Sequence, residues 1–546
     1  MAVSAPTPGV YRRRRTAAVV GLLGVAAVVV LVVVLLTGGG SSGDSGGGSG
    51  ALAAVIPADA LAYVDIDIDR KDPAVTQAFE VARRLPDFPL LGAAAASRLG
   101  SALGGGHSVD ISTDVAPWLG GRAALALLNT TTSTAGALIV VAVADQGRAR
   151  SYLRSVGATA HGSDRGHALF AAPNGDELAF AGGDLLIGQD AAVRAAIDVA
   201  ARATPSLAAS ATYRRAVAGQ PGGSVLDAYA SAAGVRRVLA DQSGILGAAG
   251  GLLSQPALQG VAIAVTPTQK GAAIRIHSVL DRALARLGPD SSPPTAFTPS
   301  LPALMPAASS LLLDVGDLAK VAPTVLNAGS AAGLAGGVGP LLARLGSALH
   351  SEGVNLPDLI SIFRHEAALA IVGSGESPTL VVVARTPNQG RTQHELAQLE
   401  APLAQLFSTP GKSQSSEPVF NDRQIGDITA HQLQLATGFQ LDYAVFHGLV
   451  VISTGLAGIQ DVAQQKHSLA RDPGFAAVLG GDVHTVTSLV FANVAALLGA
   501  GTQSGVTSGS LAGRIMPDLQ RITGVGETST HGAADSTTQV TVAVKP

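Results

Sequence analysis

Apolar residues fall along this chain in three rhythms, and each predicts a different element. From Ala17 to Leu36 they run unbroken, with only Gly21 and Gly24 among Ala, Val and Leu. Twenty helical residues cover roughly 30 Å, the hydrocarbon thickness of a bilayer, so this run predicts a transmembrane helix. From Ala62 to Ile68 they alternate with polar residues, as on a strand. Arg122–Leu128 and Ala137–Ala144 also read as strands, the second continuous enough to be buried on both faces. An Ala-rich helical stretch ends near Leu103, and Gly147–Val156 reads as a short helix. His167–Ala172, Glu177–Ala181 and Asp184–Gly188 read as short strands, with turns at Pro173-Asn174-Gly175 and Gly182-Gly183. Ala191–Ala201 and Ser206–Ala218 read as helices, with Ser206 as the cap of the second. Val261–Thr266 and Ala272–Val279 form a hairpin around Gln269-Lys270-Gly271, and Gln539–Val544 ends the second half in the same way.

The apolar run is flanked asymmetrically. Arg12, Arg13, Arg14 and Arg15 precede it, and no Lys or Arg follows until Arg70. The positive-inside rule then leaves the N-terminus in the cytoplasm and the body outside, with the bilayer as the helix's partner. The alternative is a cleaved signal peptide, whose apolar region is shorter, about 7–15 residues, with a cleavage site close behind. Here the nearest Ala-x-Ala triplet, Ala51-Leu52-Ala53, sits well past the run. The body is exported under either reading. The Gly/Ser segment that follows reads as a flexible tether. Its two G-x-S-x-G matches, at Ser41 and Ser45, lack the strand-to-helix turn that exposes a nucleophilic serine.

Several segments recur in order. Arg98–Leu103 returns letter for letter as Arg344–Leu349, and Arg122–Leu127 returns as Glu366–Ile371. Leu138–Val143 with Gln146-Gly147-Arg148 matches Val381–Thr386 with Gln389-Gly390-Arg391, and Ser206-Leu207-Ala208 matches Ser468-Leu469-Ala470. The offset drifts only from 243 to 262 residues, which argues for a duplicated unit. The expected fold class is α+β: two tandem copies of one unit, largely antiparallel sheet with packed helices, after one N-terminal transmembrane helix. The expected boundaries are 1–16 cytoplasmic tail, 17–36 transmembrane helix, 37–54 tether, 55–282 repeat 1, 283–303 Pro/Ser linker and 304–546 repeat 2.

Three motifs carry a resemblance. They are Ile56-Pro57-Ala58-Asp59-Ala60-Leu61-Ala62-Tyr63-Val64-Asp65, Trp118-Leu119-Gly120-Gly121-Arg122, and Ser206 to Arg214. With them the chain resembles the bacterial family known as domain of unknown function 3352, over most of residues 55–500. The resemblance implies one N-terminal membrane segment and a large exported body, and it brings no activity and no catalytic residues. The second half departs from the pattern, with Ile362-Phe363-Arg364-His365-Glu366 in place of Trp118 to Arg122.

Composition narrows the chemistry. The 546 residues hold no cysteine, which removes disulfides, thiolate nucleophiles and Cys-ligated metal. A net charge of −3 gives no electrostatic basis for nucleic-acid binding. Aromatics are 3%, with one tryptophan, which disfavours stacking platforms for sugars or bases. Asp65, Asp67 and Asp69 share a strand face by period two and are the metal candidates. The calcium-loop pattern fails around them, because Arg70 stands at the turn glycine and Thr76 at the bidentate glutamate. These three are therefore read as the solvated face of a half-exposed strand. His161, Asp164 and His167 straddle an expected loop, and Gly411-Lys412-Ser413 lacks the first glycine of a phosphate loop. A Ser/His/Asp triad assembles only in the fold, and no local spacing marks one. No catalytic residue and no cofactor is assigned. The small-residue stretches Gly244–Leu253, Gly329–Leu349 and Val494–Gly513 read as tight helix packing, or as walls of an apolar groove. The expected function is a non-catalytic envelope protein that binds a partner protein or an apolar ligand. The alternatives are an envelope-acting hydrolase and a structural ectodomain.

Overall fold

The computed structural model describes residues 50–86, 111–128, 136–239, 256–285, 294–318, 320, 363–373, 378–406, 419–436, 439–465, 467–480, 484–503 and 516–546. The expected anchor Ala17–Leu36, its flank Arg12–Arg15, Ser41, Ser45, the pair Arg98–Leu103 and Arg344–Leu349, Gly411-Lys412-Ser413 and most of the small-residue stretches lie outside the described residues. Among the described residues no helix is long and apolar enough to cross a membrane. The chain is α+β and divides after Ala285 into two compact units.

Unit 1 contains β1 (Ala62–Asp67), β2 (Leu119–Leu128), β3 (Gly136–Val143), β4 (Thr159–Asp164), β5 (His167–Ala171), β6 (Glu177–Ala181), β7 (Asp184–Gly188), β8 (Leu226–Ser231), β9 (Leu258–Thr268) and β10 (Gly271–Leu280). Their pairings, all antiparallel, give the order β10-β9-β8-β1-β2-β3-β7-β6-β5-β4. Its described helices include α1 (Pro73–Ala82), α2 (Gln146–Ser155), α3 (Asp190–Ala200), α4 (Ala211–Val217) and α5 (Ala232–Leu239). One sheet face carries Tyr63, Ala124, Ala126, Leu138 and Val140 against Val193 and Ile197 of α3 and Ala216 of α4. The other carries Ile66, Ala123 and Val141 against Trp118 and Leu153 of α2. β1 and β3 therefore contribute to a core on each side.

Unit 2 contains β11 (Ser309–Val315), β12 (Ala367–Val372), β13 (Thr379–Arg385), β14 (Phe420–Ile425), β15 (Ile428–Ala436), β16 (Phe439–Phe446), β17 (Leu449–Ser453), β18 (Ser488–Asn493), β19 (Ile522–His531) and β20 (Asp535–Val544). The antiparallel order is β20-β19-β18-β11-β12-β13-β17-β16-β15-β14. Its helices include α6 (Gln389–Leu406), α7 (Leu456–Gln464), α8 (Pro473–Leu479) and α9 (Val494–Gln503). Each strand here has the place held in unit 1 by the strand ten earlier in the chain. The registers correspond too. Asp65 faces Ala124, which faces Val140; Asp314 faces Ala368, which faces Val383.

Three local expectations are corrected. Thr159–Asp164 is a strand, not a loop, and turns into β5 at Arg165-Gly166, both with positive φ. It lies at the edge of the sheet and is almost wholly exposed, so it lacks the apolar alternation that marks a strand. Ser206 does not cap a helix. It bridges Pro57 and leads into a short 3-10 turn, Leu207–Ala209, and Ser210 caps α4 by accepting the Tyr213 N–H. Ser468 bridges Pro306 in the same way, and there Asp472 caps α8. The stretches read as tether and linker also end sooner. Leu52 and Ala53 are buried in the unit 1 core, and Leu301 in that of unit 2.

Candidate functional site

β1 is a central strand, so its row of Tyr63, Asp65 and Asp67 is covered rather than solvated. Asp65 is 0% exposed, which overturns the reading of a wet strand face. A buried carboxylate needs a counter-charge and hydrogen bonds. Arg122, two residues before the Ala124 that faces Asp65, supplies them. Its Nε donates to Asp65 Oδ1 at 3.1 Å, and its Nη2 lies 3.0 Å from Oδ2. The Gly50 N–H and the Tyr63 hydroxyl also donate to Oδ2, each at 3.0 Å. Asp67 Oδ2 is 3.6 Å from Arg122 Nη1. Asp69 turns away and accepts the Lys71 N–H. A guanidinium thus sits where the three aspartates could have held a metal. Among the described residues no group of three or more His, Asp or Glu side chains is arranged around a metal position.

The charges tune one another. Burial alone would lower the Arg122 pKa, but the charge and hydrogen bond of Asp65 outweigh it and raise the value. Burial raises the Tyr63 hydroxyl, and Asp65 adds to the shift. Burial lifts Asp67 and Asp227, and it lifts Asp184 to about 6 with help from Asp65.

Unit 2 uses the same sheet row differently. Asp314 is again 0% exposed, but the position of Arg122 holds Glu366, and the cation, Arg385, lies one strand further along on β13. Glu366 accepts the Ser300 N–H and hydroxyl, and the Leu301 N–H at 2.8 Å. Arg385 Nη2 donates to the Ser300 hydroxyl at 2.7 Å, and Nε lies 3.6 Å from Glu366. In both units a carboxylate of this row therefore grips the segment that leads into the fold, Gly50 in one and Ser300-Leu301 in the other.

A further constellation lies over β14, β15 and β16. His431 Nδ1 is 3.1 Å from Glu400 Oε1 and 3.0 Å from Asp422 Oδ1. Its ring stacks on Tyr443, centroids 4.7 Å apart, and Tyr443 donates its hydroxyl to Glu400. Burial, and then Glu400, raise the Tyr443 pKa. In unit 1 His161 Nε2 approaches Glu177 Oε1 at 2.8 Å. Asp164 instead meets Arg194, and His167 Nδ1 meets the Phe180 carbonyl, so these three residues form no common site.

A family model described as "Protein of unknown function (DUF3352)" matches residues 16–545. The chain belongs to this family. No curated protein matches this DUF3352 chain. Among solved structures, a crystal form of TP0453 is similar at a TM-score of 0.24 and 7% identity, over 45% of this chain and 89% of that one. In this DUF3352 protein, sequence reasoning missed Arg122, Glu366 and Arg385 as partners of the aspartates. The available signal was a lone charge opening an otherwise apolar strand, Arg122 before Ala123–Leu128 and Glu366 before Ala367–Val372. The His431 group left no signal, because Glu400, Asp422, His431 and Tyr443 come from four separate elements.

Proposed function

We propose that this protein is a single-pass, membrane-anchored, extracytoplasmic binding protein. In this reading its body is two tandem copies of one α+β unit, and it engages a partner protein or an apolar ligand without catalysing a reaction. The apolar run Ala17–Leu36 behind Arg12–Arg15 supports the anchor. The matching strand orders and registers support the duplication. The observation that carries the binding reading is the work given to the charges of the matching sheet rows, buried in unit 1 and part-buried in unit 2. Asp65 with Arg122, and Glu366 with Arg385, fix where each unit's leading segment enters. Such pairs hold a rigid frame, and rigid frames suit presentation of a binding surface.

The test is native mass spectrometry of the full chain extracted in detergent. A stoichiometric co-purifying protein or lipid-like mass is expected. Apo protein alone from membranes of the native host, under several detergents, would overturn the binding reading. A reporter fused after Pro546 should be active only outside the cytoplasm, and cytoplasmic activity would overturn the topology.

The His431 group favours a second reading, an envelope-acting hydrolase. A histidine held by two carboxylates beside a tyrosine is a general-base arrangement. In that case His431→Asn abolishes turnover of an envelope preparation, and failure of the unaltered protein to turn it over disposes of the idea.

A further inference from the structure

In unit 1 the cation of the sheet row, Arg122, lies directly on Asp65, whereas in unit 2 the cation, Arg385, lies on Glu366 and among the described residues none is in ion-pair contact with Asp314. Asp314 is fully buried, and no donor meets either carboxyl oxygen at full hydrogen-bond geometry; the Val315 N–H beside it only partly offsets the burial. Asp314 and Glu366 lie on one face, since Asp314 faces Ala368 and Glu366 is two residues before it. Both oxygens of Glu366 are already engaged by Ser300 and Leu301. The one cation in the group, Arg385, donates to Ser300 as well as approaching Glu366. The guanidinium of Arg385 is spent on Glu366 and Ser300, which leaves the fully buried Asp314 carboxyl without a cation in contact. A negative charge so placed is removed by taking up a proton.

We infer that Asp314 and Glu366 share one proton, and that this proton keeps the leading segment Thr295–Leu301 seated on unit 2. The Asp314 O–H donates to Glu366, so the orphaned oxygens gain a partner and Glu366 keeps its grip on Ser300. When the proton leaves, two carboxylates face each other. The strain falls on Glu366, whose other bonds all go to the leading segment. That segment is also held by the paired backbone bonds between Phe297 and Val486, each 2.8 Å, by Lys320 Nζ on the Thr295 hydroxyl and by Arg385 on the Ser300 hydroxyl.

The surroundings of Asp314 offer little else that titrates. On its face β12 offers Glu366 and β13 offers Arg385. β18 places Leu489 opposite, and the leading segment brings Ser300. α7 and α8 cover this face through apolar side chains, and the one ionisable residue on these two helices, Asp461, is exposed. α9 carries no ionisable side chain, and Asp317, beyond the end of β11, pairs with Lys320. Burial first, and then the charge of Glu366, raise the Asp314 pKa to about 8, which places the release at mildly alkaline pH.

Hydrogen exchange on the full chain tests this, read as protection factors for the amides of Thr295–Leu301 on either side of pH 8. One linked proton predicts that protection falls by up to about tenfold per pH unit as the pH rises toward 8 and levels off above it. Asp314→Asn, which mimics the protonated acid, should keep the segment protected throughout. Wild-type protection that does not change across this range, or an unchanged pH dependence in Asp314→Asn, would overturn the inference. If the variant does not fold, infrared titration of the unaltered protein decides. A carbonyl band from a protonated carboxyl must vanish as the pH passes about 8, and its absence below that pH is fatal to the idea.

Discussion

Replacing Asp65 by Asn isolates the buried ion pair of unit 1 with almost no change of shape. Asn keeps one acceptor oxygen but turns the other into an N–H₂ donor. Oδ2 accepts from Gly50 and Tyr63 and lies 3.0 Å from Arg122 Nη2. An amide nitrogen there meets donors, and an oxygen there abandons Arg122 Nε at the other position. Either way a guanidinium that is 8% exposed loses its nearest counter-charge and keeps only Asp67, at 3.6 Å. Removing one partner of a buried pair costs about 3–5 kcal/mol. Asp67 offsets part of that, so we expect about 3 kcal/mol. For a unit of this size that is a fall in Tm of roughly 6–12 °C. Trp118 is the single tryptophan in the chain and is buried beside Tyr152 in unit 1, so its fluorescence follows that unit alone. Urea unfolding read by Trp118 should show a lower midpoint at unchanged slope. A change under about 0.5 kcal/mol, the level of a solvated surface pair, would refute the reasoning.

The same substitution in unit 2 should act with the opposite sign. Folding raises the Asp314 pKa, so between about pH 4 and pH 8 the folded state binds more protons than the unfolded, and unit 2 loses stability as pH rises through that window. Asp314→Asn should flatten the loss, whose upper bound is about 5 kcal/mol across that window; calorimetry at several pH values measures it. Trp118→Ala should cost unit 1 about 3–5 kcal/mol in urea melts read by circular dichroism, because it empties a packed site and strands the Asp114 carbonyl that Nε1 reaches at 2.7 Å. Gly234→Ala should destabilise unit 1 by roughly 2–3 kcal/mol in the same assay, since a Cβ there would sit 1.8 Å from the Leu61 carbonyl oxygen.

The elements that could be read from the sequence are those whose local pattern and final environment agree. β3 is a continuous apolar run and is packed on both faces. The β9–β10 hairpin announces itself at Gln269-Lys270-Gly271, and its strands extend a few residues beyond the expected ends. β4 and β14 were hidden because edge strands exposed to water need no alternation. β8 was hidden because Asp227 and Tyr229 interrupt a run of only six residues. For Asp65 and Asp67 period two placed the shared face correctly, but Asp69 lies past the end of β1 and turns away, and the pattern could not say that the face is covered. That depends on helices α3 and α4, more than a hundred residues downstream. The identity of the counter-ion depends likewise on register, which joins Asp65 to a residue 57 positions away.

The first strand of each unit lies inside its sheet, with the next strand of the chain on one side and a strand from late in the unit on the other. Asp65 pairs with Ala124, and also with Asp227. A ribosome delivers β1 early, yet one edge of it stays open until the eighth strand has been made. Neither unit can therefore finish its sheet piecemeal as the chain grows. Each must wait for nearly its whole length and then close in one slow, long-range step. Until then an unpaired edge in the middle of the future sheet is available to any other strand, so the newly made chain calls for an escort that covers extended segments.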